Sequence, residues 1–357
     1  MFRLRNILLI FGGVIFLLSC SKDEDYKEIT PVVMDLSQVP YQKLSEYKFF
    51  KGDIKNLIPA YGVLPYQPIS GLYTDYAEKL RLIWMPTGSK ASYIADNQIL
   101  NFPVGTALIK NFYYSDTAPS HQKKVIETRI MILKENGWIY ADYVWNDDQT
   151  DAFLQTVSSV KNFSFYKSNG DLLTVDYKIP SNLECTYCHK ISNINQPIGV
   201  KPQNINFNYN YSNGSKNQLD KLIAFGYLDN NLPTEINTLV DYEDTSKSLN
   251  LRVRSYFDAN CAHCHIDGGY ADDFDIRLSF TDTESMANLG VCKNAIHFVP
   301  GFSGEIVIPQ NPLQSILFYK MSTTNPNFQM PFIGRSIPHQ EGLSLVEEWI
   351  NSLEPCN

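Results

Sequence analysis

Two short segments of the chain combine thiols and imidazoles at the same spacing. They read Cys185-Thr186-Tyr187-Cys188-His189 and Cys261-Ala262-His263-Cys264-His265. Cysteines three positions apart share one face of a helical turn, and the histidine that follows can turn its imidazole to the same side. This is the spacing of c-type haem attachment, in which both thiols bind the porphyrin and the histidine binds the iron. The sequence therefore predicts two covalently bound haems.

Zinc is the main alternative, because two C-x-x-C pairs also supply four thiolates. Zinc does not require a histidine after each second cysteine, yet both segments have one. In a chain of this composition a C-x-x-C-H pentapeptide should occur by chance only about 0.002 times. We therefore favour haem. In that interpretation the attachment residues are Cys185, Cys188, Cys261 and Cys264, and the iron ligands are His189 and His265.

The first twenty residues have the composition of an export signal. Arg3 and Arg5 precede an apolar run from 7 to 18, which is too short for a comfortable membrane span. The run ends in Leu17-Leu18-Ser19-Cys20, which resembles a bacterial lipobox, the motif in which the cysteine is acylated. We expect residues 1–19 to be a lipoprotein signal peptide and Cys20 to carry a lipid anchor, and an uncleaved anchor helix is the alternative. The resemblance implies an outer-membrane lipoprotein that faces the periplasm or the cell surface.

Export changes the meaning of the two cysteines that belong to neither motif. Outside the cytoplasm, thiols end as disulfides, metal ligands or cofactor attachments. Cys292 and Cys356 are therefore expected to pair, and two unpaired thiols are the alternative. The net charge of −8 and the absence of basic clusters argue against nucleic acid as a partner.

The positions of the motifs divide the chain of 357 residues into two expected units. Segments rich in β-branched and aromatic residues predict strands at 80–85, 108–114, 125–133, 138–145 and 172–179. The pairs Asn136-Gly137 and Asn169-Gly170 predict tight hairpins, because both residue types tolerate positive φ angles. The first unit is therefore expected to be an antiparallel β domain. An Asn-rich stretch, 204–217, fits either an edge strand or an ordered linker.

Helices are expected from about residue 248. Leu249, Val253 and Phe257 recur at helical spacing before the second motif, and Leu343 to Leu353 has the spacing of a last helix. The predicted class is α+β, with an antiparallel β domain followed by a helical domain. The predicted boundaries are a tether at 20–50, a β-rich domain with the first haem motif and a linker at 51–245, and a helical domain with the second haem at 246–357.

The segment 248–354 resembles a class I cytochrome c domain. A helix runs into C-x-x-C-H, Met330-Pro331 follows, and an amphipathic helix closes the segment. The resemblance implies that Met330 is the sixth ligand of the second iron and that Trp349 packs on Tyr256 or Phe257. A methionine ligand leaves iron oxidising and saturated, as in an electron carrier. The alternative is that Met330 is only a core residue.

From about residue 60 the chain is similar to a family of exported di-haem c-type cytochromes. The segments that carry this similarity are 102–106, 127–129, 143–146, 260–265, 331–334 and 348–350. The resemblance implies haem binding and electron transfer with redox protein partners in the cell envelope. The β domain is also faintly similar to hydroxylamine-oxidising cytochromes, whose haem leaves one axial site open.

The sixth ligand of the first haem is not evident from the sequence. The conceivable ligands are His121, His297, His339, Met85, Met131, Met286 and Met321. His263 lies between two cysteines of its own motif and should point away from the second iron. An open site on the first haem would favour an enzyme that acts on peroxide or a small nitrogen compound. A surface module that grips polysaccharide with its aromatic residues is a third possibility.

Overall fold

The computed structural model describes residues 28–356, so the signal segment and Cys20 lie outside the described part of the chain. The strands are β1 (Leu64–Tyr66), β2 (Glu78–Trp84), β3 (Ala107–Thr117), β4 (Gln122–Lys134), β5 (Gly137–Trp145), β6 (Ala152–Gln155), β7 (Ser159–Tyr166), β8 (Leu172–Ile179), β9 (Lys190–Ile191), β10 (Ile194–Asn195), β11 (Asn208–Tyr211) and β12 (Gly214–Asn217). The helices are α1 (Asn182–His189), α2 (Pro202–Ile205), α3 (Gln218–Phe225), α4 (Leu249–Asn260), α5 (Ile316–Ser322) and α6 (Gln340–Ser352). The mixed α+β class is confirmed.

Eight strands form one antiparallel sheet, which contains all five segments predicted as strands. β1 to β6 pair in chain order, β7 pairs with the end of β3, and β8 pairs with β7. Both Asn-Gly pairs lie at hairpins, between β4 and β5 and between β7 and β8. Only the glycines take positive φ angles, 109° at Gly137 and 89° at Gly170. Each hairpin therefore depends on its glycine, which has no Cβ atom to clash at such angles.

The segment 28–50 differs from the predicted tether. Leu44, Tyr47 and Phe49 are buried in a core that includes residues of the sheet. The hydroxyl groups of Tyr47 and Tyr143 lie 2.9 Å apart in a buried hydrogen bond. The polar residues between these anchors suggested a tether, but a few large apolar side chains are enough to dock the segment.

The Asn-rich stretch, for which an edge strand or an ordered linker was expected, contains strands of a separate two-stranded sheet. Its first two residues end α2, and residues 208–217 form the whole hairpin of β11 and β12, in which Asn208 pairs with Asn217. The Asn217 side chain then caps α3 by accepting from the backbone N–H of Leu219 at 2.9 Å. The stretch therefore leads directly into the next helix.

In the C-terminal part, α4 and α6 pack together. The rings of Phe257 and Trp349 meet edge to face, with 6.1 Å between their centroids. This is one of the two ring pairs that the resemblance implied. Gly342 lies against the ring of Tyr256, where any Cβ atom would clash with the hydroxyl group. Among residues 28–356, no helix has the length and apolar character needed to cross a membrane.

Candidate functional site

The first motif occupies the short helix α1, immediately after β8. Ser181 caps the helix, because its side chain accepts from the backbone N–H of Glu184 and the Glu184 carboxylate accepts from that of Ser181. The cap fixes where the helix begins and therefore where Cys185 and Cys188 lie. At its end, His189 Nδ1 lies 3.0 Å from the carbonyl oxygen of Gln196. A hydrogen bond there leaves Nε2 free to bind a metal.

The second motif forms a tight turn where α4 ends. The backbone N–H of Cys261 donates to Phe257 O at 2.8 Å, and that of His265 donates to Cys261 O at 3.0 Å. The buried face of α4 therefore determines the position of the motif. His265 Nδ1 is buried without a hydrogen-bond partner in the described chain. Both imidazoles are candidate metal ligands, and of the two only that of His189 has a backbone acceptor that orients it.

The two motifs touch each other. Ligand atoms of Cys188, His263 and Cys264 all lie within 4.8 Å of one another, and Cys264 Sγ donates to Tyr187 O at 3.4 Å. A backbone hydrogen bond of 2.8 Å from Ser192 to Gly268 joins the segments that follow the motifs. Residues more than seventy positions apart in the sequence thus form one site.

The second motif opens into a cavity of about 370 Å³. Cys261, His265 and Met330 all lie on its wall, which is otherwise mainly apolar and includes Phe274, Leu278, Val299, Ile306, Leu317 and Phe328. The Met330 N–H donates to Lys320 O at 2.7 Å. This hydrogen bond joins α5 to the methionine loop, the segment 323–339 between α5 and α6. The structure therefore brings together the histidine and the methionine that the sequence analysis selected for the second iron.

The first motif lies at two adjoining cavities of about 130 and 330 Å³, both bounded by Cys188 and His263. Cys185 and His189 line the smaller one, and Pro331 and Ile333 of the methionine loop contribute to its wall. His263 lines both of these cavities but is absent from the wall of the second-motif cavity. Its side chain therefore faces the first motif, away from the His265 side of its own motif.

Burial keeps most of the motif side chains neutral. It lowers the pKa of His189 and of His265 to about 4, and it raises the pKa of Cys185 and of Cys261 to about 12. A hydrogen bond with Cys264 lowers the pKa of Cys188, while the same bond raises the pKa of Cys264. At neutral pH the two histidines therefore carry the free electron pair that a metal ion needs.

A row of charged residues on the sheet lines the smaller first-motif cavity, and the sequence analysis missed it. Arg81, Lys110, Arg129 and Asp142 are successive register partners across β2, β3, β4 and β5. Both carboxylate oxygens of Asp142 are buried without a hydrogen-bond partner in the described chain. Burial, followed by repulsion from Glu127, raises the pKa of Asp142 well above its ordinary value. This part of the wall is therefore charged, whereas the wall of the second-motif cavity is mainly apolar.

The candidate sixth ligands separate by position. Met131 lines the smaller first-motif cavity, whereas His297, His339 and Met321 line the second-motif cavity. Each of the remaining candidates, His121, Met85 and Met286, lines none of these three cavities. Of the seven candidates, only Met131 therefore lies beside the first motif. His263, which is not one of the seven, lies there as well.

The two spare cysteines, Cys292 and Cys356, are joined by a disulfide, with 5.8 Å between their Cα atoms. The bridge ties the tail after α6 to the loop that precedes the methionine loop.

In comparisons with known proteins, no family model, curated protein or solved structure matches this chain. The site is interpreted from its own residues.

Proposed function

We propose that the chain is a di-haem c-type cytochrome that transfers electrons in the cell envelope. The observation that carries the proposal is the contact between the two C-x-x-C-H segments, each of which lies beside a cavity that its own histidine lines. Two haems held side by side can pass an electron within one chain. Each haem would supply a one-electron change between ferrous and ferric iron.

The residues of the second motif fit such a group. Cys261 and Cys264 would attach the porphyrin, and His265 and Met330, which both line the second-motif cavity, would hold the iron. The neutral imidazole of His265 is the form that binds iron. An apolar wall excludes water and favours an iron that keeps both protein ligands. These features, with the order of α4, Met330 and α6 and the Phe257–Trp349 contact, support a class I cytochrome c-like domain at 246–357.

At the first motif, Cys185 and Cys188 would attach the porphyrin and His189 would bind the iron. The backbone carbonyl group of Gln196 binds Nδ1 of His189 and thereby holds the imidazole ring in one orientation. The main task of the surrounding chain is to hold the ligands still while the charge of the iron changes. Partners would be redox proteins of the cell envelope.

A membrane anchor through Cys20 is part of the same proposal. The lipobox-like Leu17 to Cys20 would place the protein on the outer membrane, facing the periplasm or the cell surface. Cys20→Ser should release the protein from the membrane fraction, and intact-mass measurement of the wild-type protein should find the acyl groups. An unmodified Cys20 in the wild-type protein would refute the anchor.

A second candidate function is that of a haem enzyme, and the Asp142 wall favours it. The Asp142 carboxylate is buried without a hydrogen bond among the described residues, and its Oδ2 lies 4.0 Å from Arg129 Nε. Together with Lys110 it suits a small polar ligand that gains or loses a proton. The discriminating measurement is carbon monoxide binding by the reduced wild-type protein. One carbon monoxide per chain would support an open first haem and the enzyme, and none would support the electron carrier.

A metal ion at Cys188, His263 and Cys264 is the competing occupant, since thiolate and imidazole also suit zinc. Metal analysis of the purified protein distinguishes zinc from haem, because haem attachment would consume the thiols of Cys188 and Cys264. We expect iron and no stoichiometric zinc. The electron-transfer proposal itself predicts that dithionite reduces the protein and that a soluble oxidised cytochrome reoxidises it. Failure of this exchange in protein that contains both haems would contradict it.

A further inference from the structure

Arg335 is a buried cation on the wall of the second-motif cavity. Only 6% of its surface is exposed. Its Nε atom donates to Met330 O at 3.1 Å, and Nη2 donates to the carbonyl oxygens of Lys320 and Thr323 at 3.1 and 2.9 Å. The third nitrogen, Nη1, is buried and has no hydrogen-bond partner among the described residues. The guanidinium group is thus held in place on two sides and unsatisfied on the third.

Among the described residues, no carboxylate contacts Nη1 of Arg335. A guanidinium group stays protonated in proteins, and burying such a charge without a partner costs several kcal/mol. Asp75 contributes to the electrostatic field at Arg335, but its oxygens accept from the backbone N–H groups of Ser336 and Ile337 at 2.7 and 3.1 Å. The position of Nη1 therefore calls for an anion from outside residues 28–356.

We propose that Arg335 binds a carboxylate group of the cofactor in this cavity, a propionate of the second haem. This inference rests on the proposed function, since the same cavity holds His265 and Met330 on its wall. An arginine–carboxylate contact is a strong, charge-assisted hydrogen bond. Because Nε already binds the carbonyl oxygen of Met330, one side chain links the methionine loop to the porphyrin. Arg335 is thereby a positioning residue for Met330 as well as a ligand-binding residue.

The test uses protein with the substitutions Cys185→Ala and Cys188→Ala, so that only the second haem contributes to the spectra. Resonance Raman spectra contain a bending mode of the propionates that responds to their hydrogen bonds. Arg335→Gln should shift this band and lower the midpoint potential, because loss of a nearby positive charge stabilises ferric iron. Arg335→Lys keeps the charge, so its potential should stay closer to that of the parent while the band still shifts.

Two controls separate this role from a purely structural one. Arg254 is also buried, and its Nη2 donates to the backbone carbonyl oxygen of Phe280 at 2.7 Å. It lines neither the second-motif cavity nor the two cavities at the first motif. Arg254→Gln should leave the band and the potential unchanged. Lys320, the other cation near the methionine loop on this wall, is tested in the same way. A band that shifts in Lys320→Gln and not in Arg335→Gln would overturn the inference.

Loss of the methionine ligand in Arg335→Gln would itself change the potential. The band is therefore also compared between Met330→Ala and Met330→Ala with Arg335→Gln, where the shift should persist. An unchanged band in protein that contains the haem overturns the inference and leaves the proposed function standing. Protein without covalent haem overturns the proposed function, and the inference with it.

Discussion

The Sγ atom of Cys264 lies 3.4 Å from the backbone carbonyl oxygen of Tyr187, so the second motif rests directly on the first. The ring of Tyr187 also contacts Phe332 of the methionine loop, with centroids 5.5 Å apart. The residues that would hold one haem therefore form part of the surroundings of the other. In this arrangement neither motif is an independent site.

This contact predicts an optical signature. Two haems attached at touching motifs would lie close together, and their main absorption transitions would then couple, because such coupling falls steeply with distance. We expect a two-signed band in the Soret circular dichroism of the reduced protein. The single-haem proteins, Cys185→Ala with Cys188→Ala and Cys261→Ala with Cys264→Ala, should each show a one-signed band. A wild-type spectrum equal to the sum of the two single-haem spectra would mean that the haems are far apart.

The large sheet and the last helices were predictable because their patterns are local. Alternation of apolar residues and the two Asn-Gly pairs are enough to predict strands and hairpins within β3 to β5 and at β8. The docking of 28–50 was not predictable, because its anchors, Leu44 and Tyr47, are few and separated by polar residues. The contact between motifs depends on the long-range fold, which a local pattern does not contain.

Part of the candidate site could also have been found earlier. Asp142 interrupts a strand that is otherwise apolar, Lys110 and Arg129 lie beside apolar stretches of their strands, and strand pairing places the three in one row. A charged residue inside a buried strand is costly unless it is paired or functional. That signal was present in the sequence, but the row became apparent only with the register. The role of Arg335 required the hydrogen bonds of the methionine loop.

Met330 should be the sixth ligand of the second iron. Met330→Ala should erase the sulfur-to-iron charge-transfer band of the oxidised protein, and the reduced protein should bind one more carbon monoxide per chain than the wild type. The physical reason is that an exogenous ligand binds only where the protein leaves a coordination site open. Met321 lines the same cavity, so Met321→Ala is the matched control and should retain the band. Loss of the band in Met321→Ala alone would assign the ligand to that residue.

Glu341 should make part of the stability depend on acid pH. Its oxygens bind Lys167 and Tyr76, each at 2.7 Å, which ties α6 to the β-rich part of the chain. Burial opposes the shift, but these hydrogen bonds lower the pKa of Glu341 from 4.5 to about 2. A carboxyl group with a lowered pKa stabilises the fold above pH 4.5, and the contribution is lost as the pH falls through about 2.

The measurement is the free energy of unfolding of the wild type and Glu341→Gln between neutral and acid pH. The difference should be below about 1 kcal/mol, because the group is partly exposed, and should vanish toward the acid end. Glu347→Gln, an exposed acid on the same helix, should show no such dependence. A difference between the wild type and Glu341→Gln that does not change with pH would show that the effect is not one of charge.

The disulfide should stabilise the C-terminal part. The bridge between Cys292 and Cys356 closes a loop with a sequence separation of 64. Replacing both cysteines by serine should lower the free energy of unfolding by about 2–4 kcal/mol. Wild-type protein treated with a reductant should show a similar loss in the same denaturation experiment. Peptide mapping without reductant that finds both thiols free would contradict the pairing.

The most direct test of the account is the haem content of the purified protein, measured by a pyridine haemochrome assay together with intact mass. A di-haem cytochrome should contain two covalent haems per chain, and one after Cys185→Ala with Cys188→Ala or after Cys261→Ala with Cys264→Ala. A wild-type value of one would remove the haem from one motif, and a value of zero with a bound zinc ion would contradict the central claim.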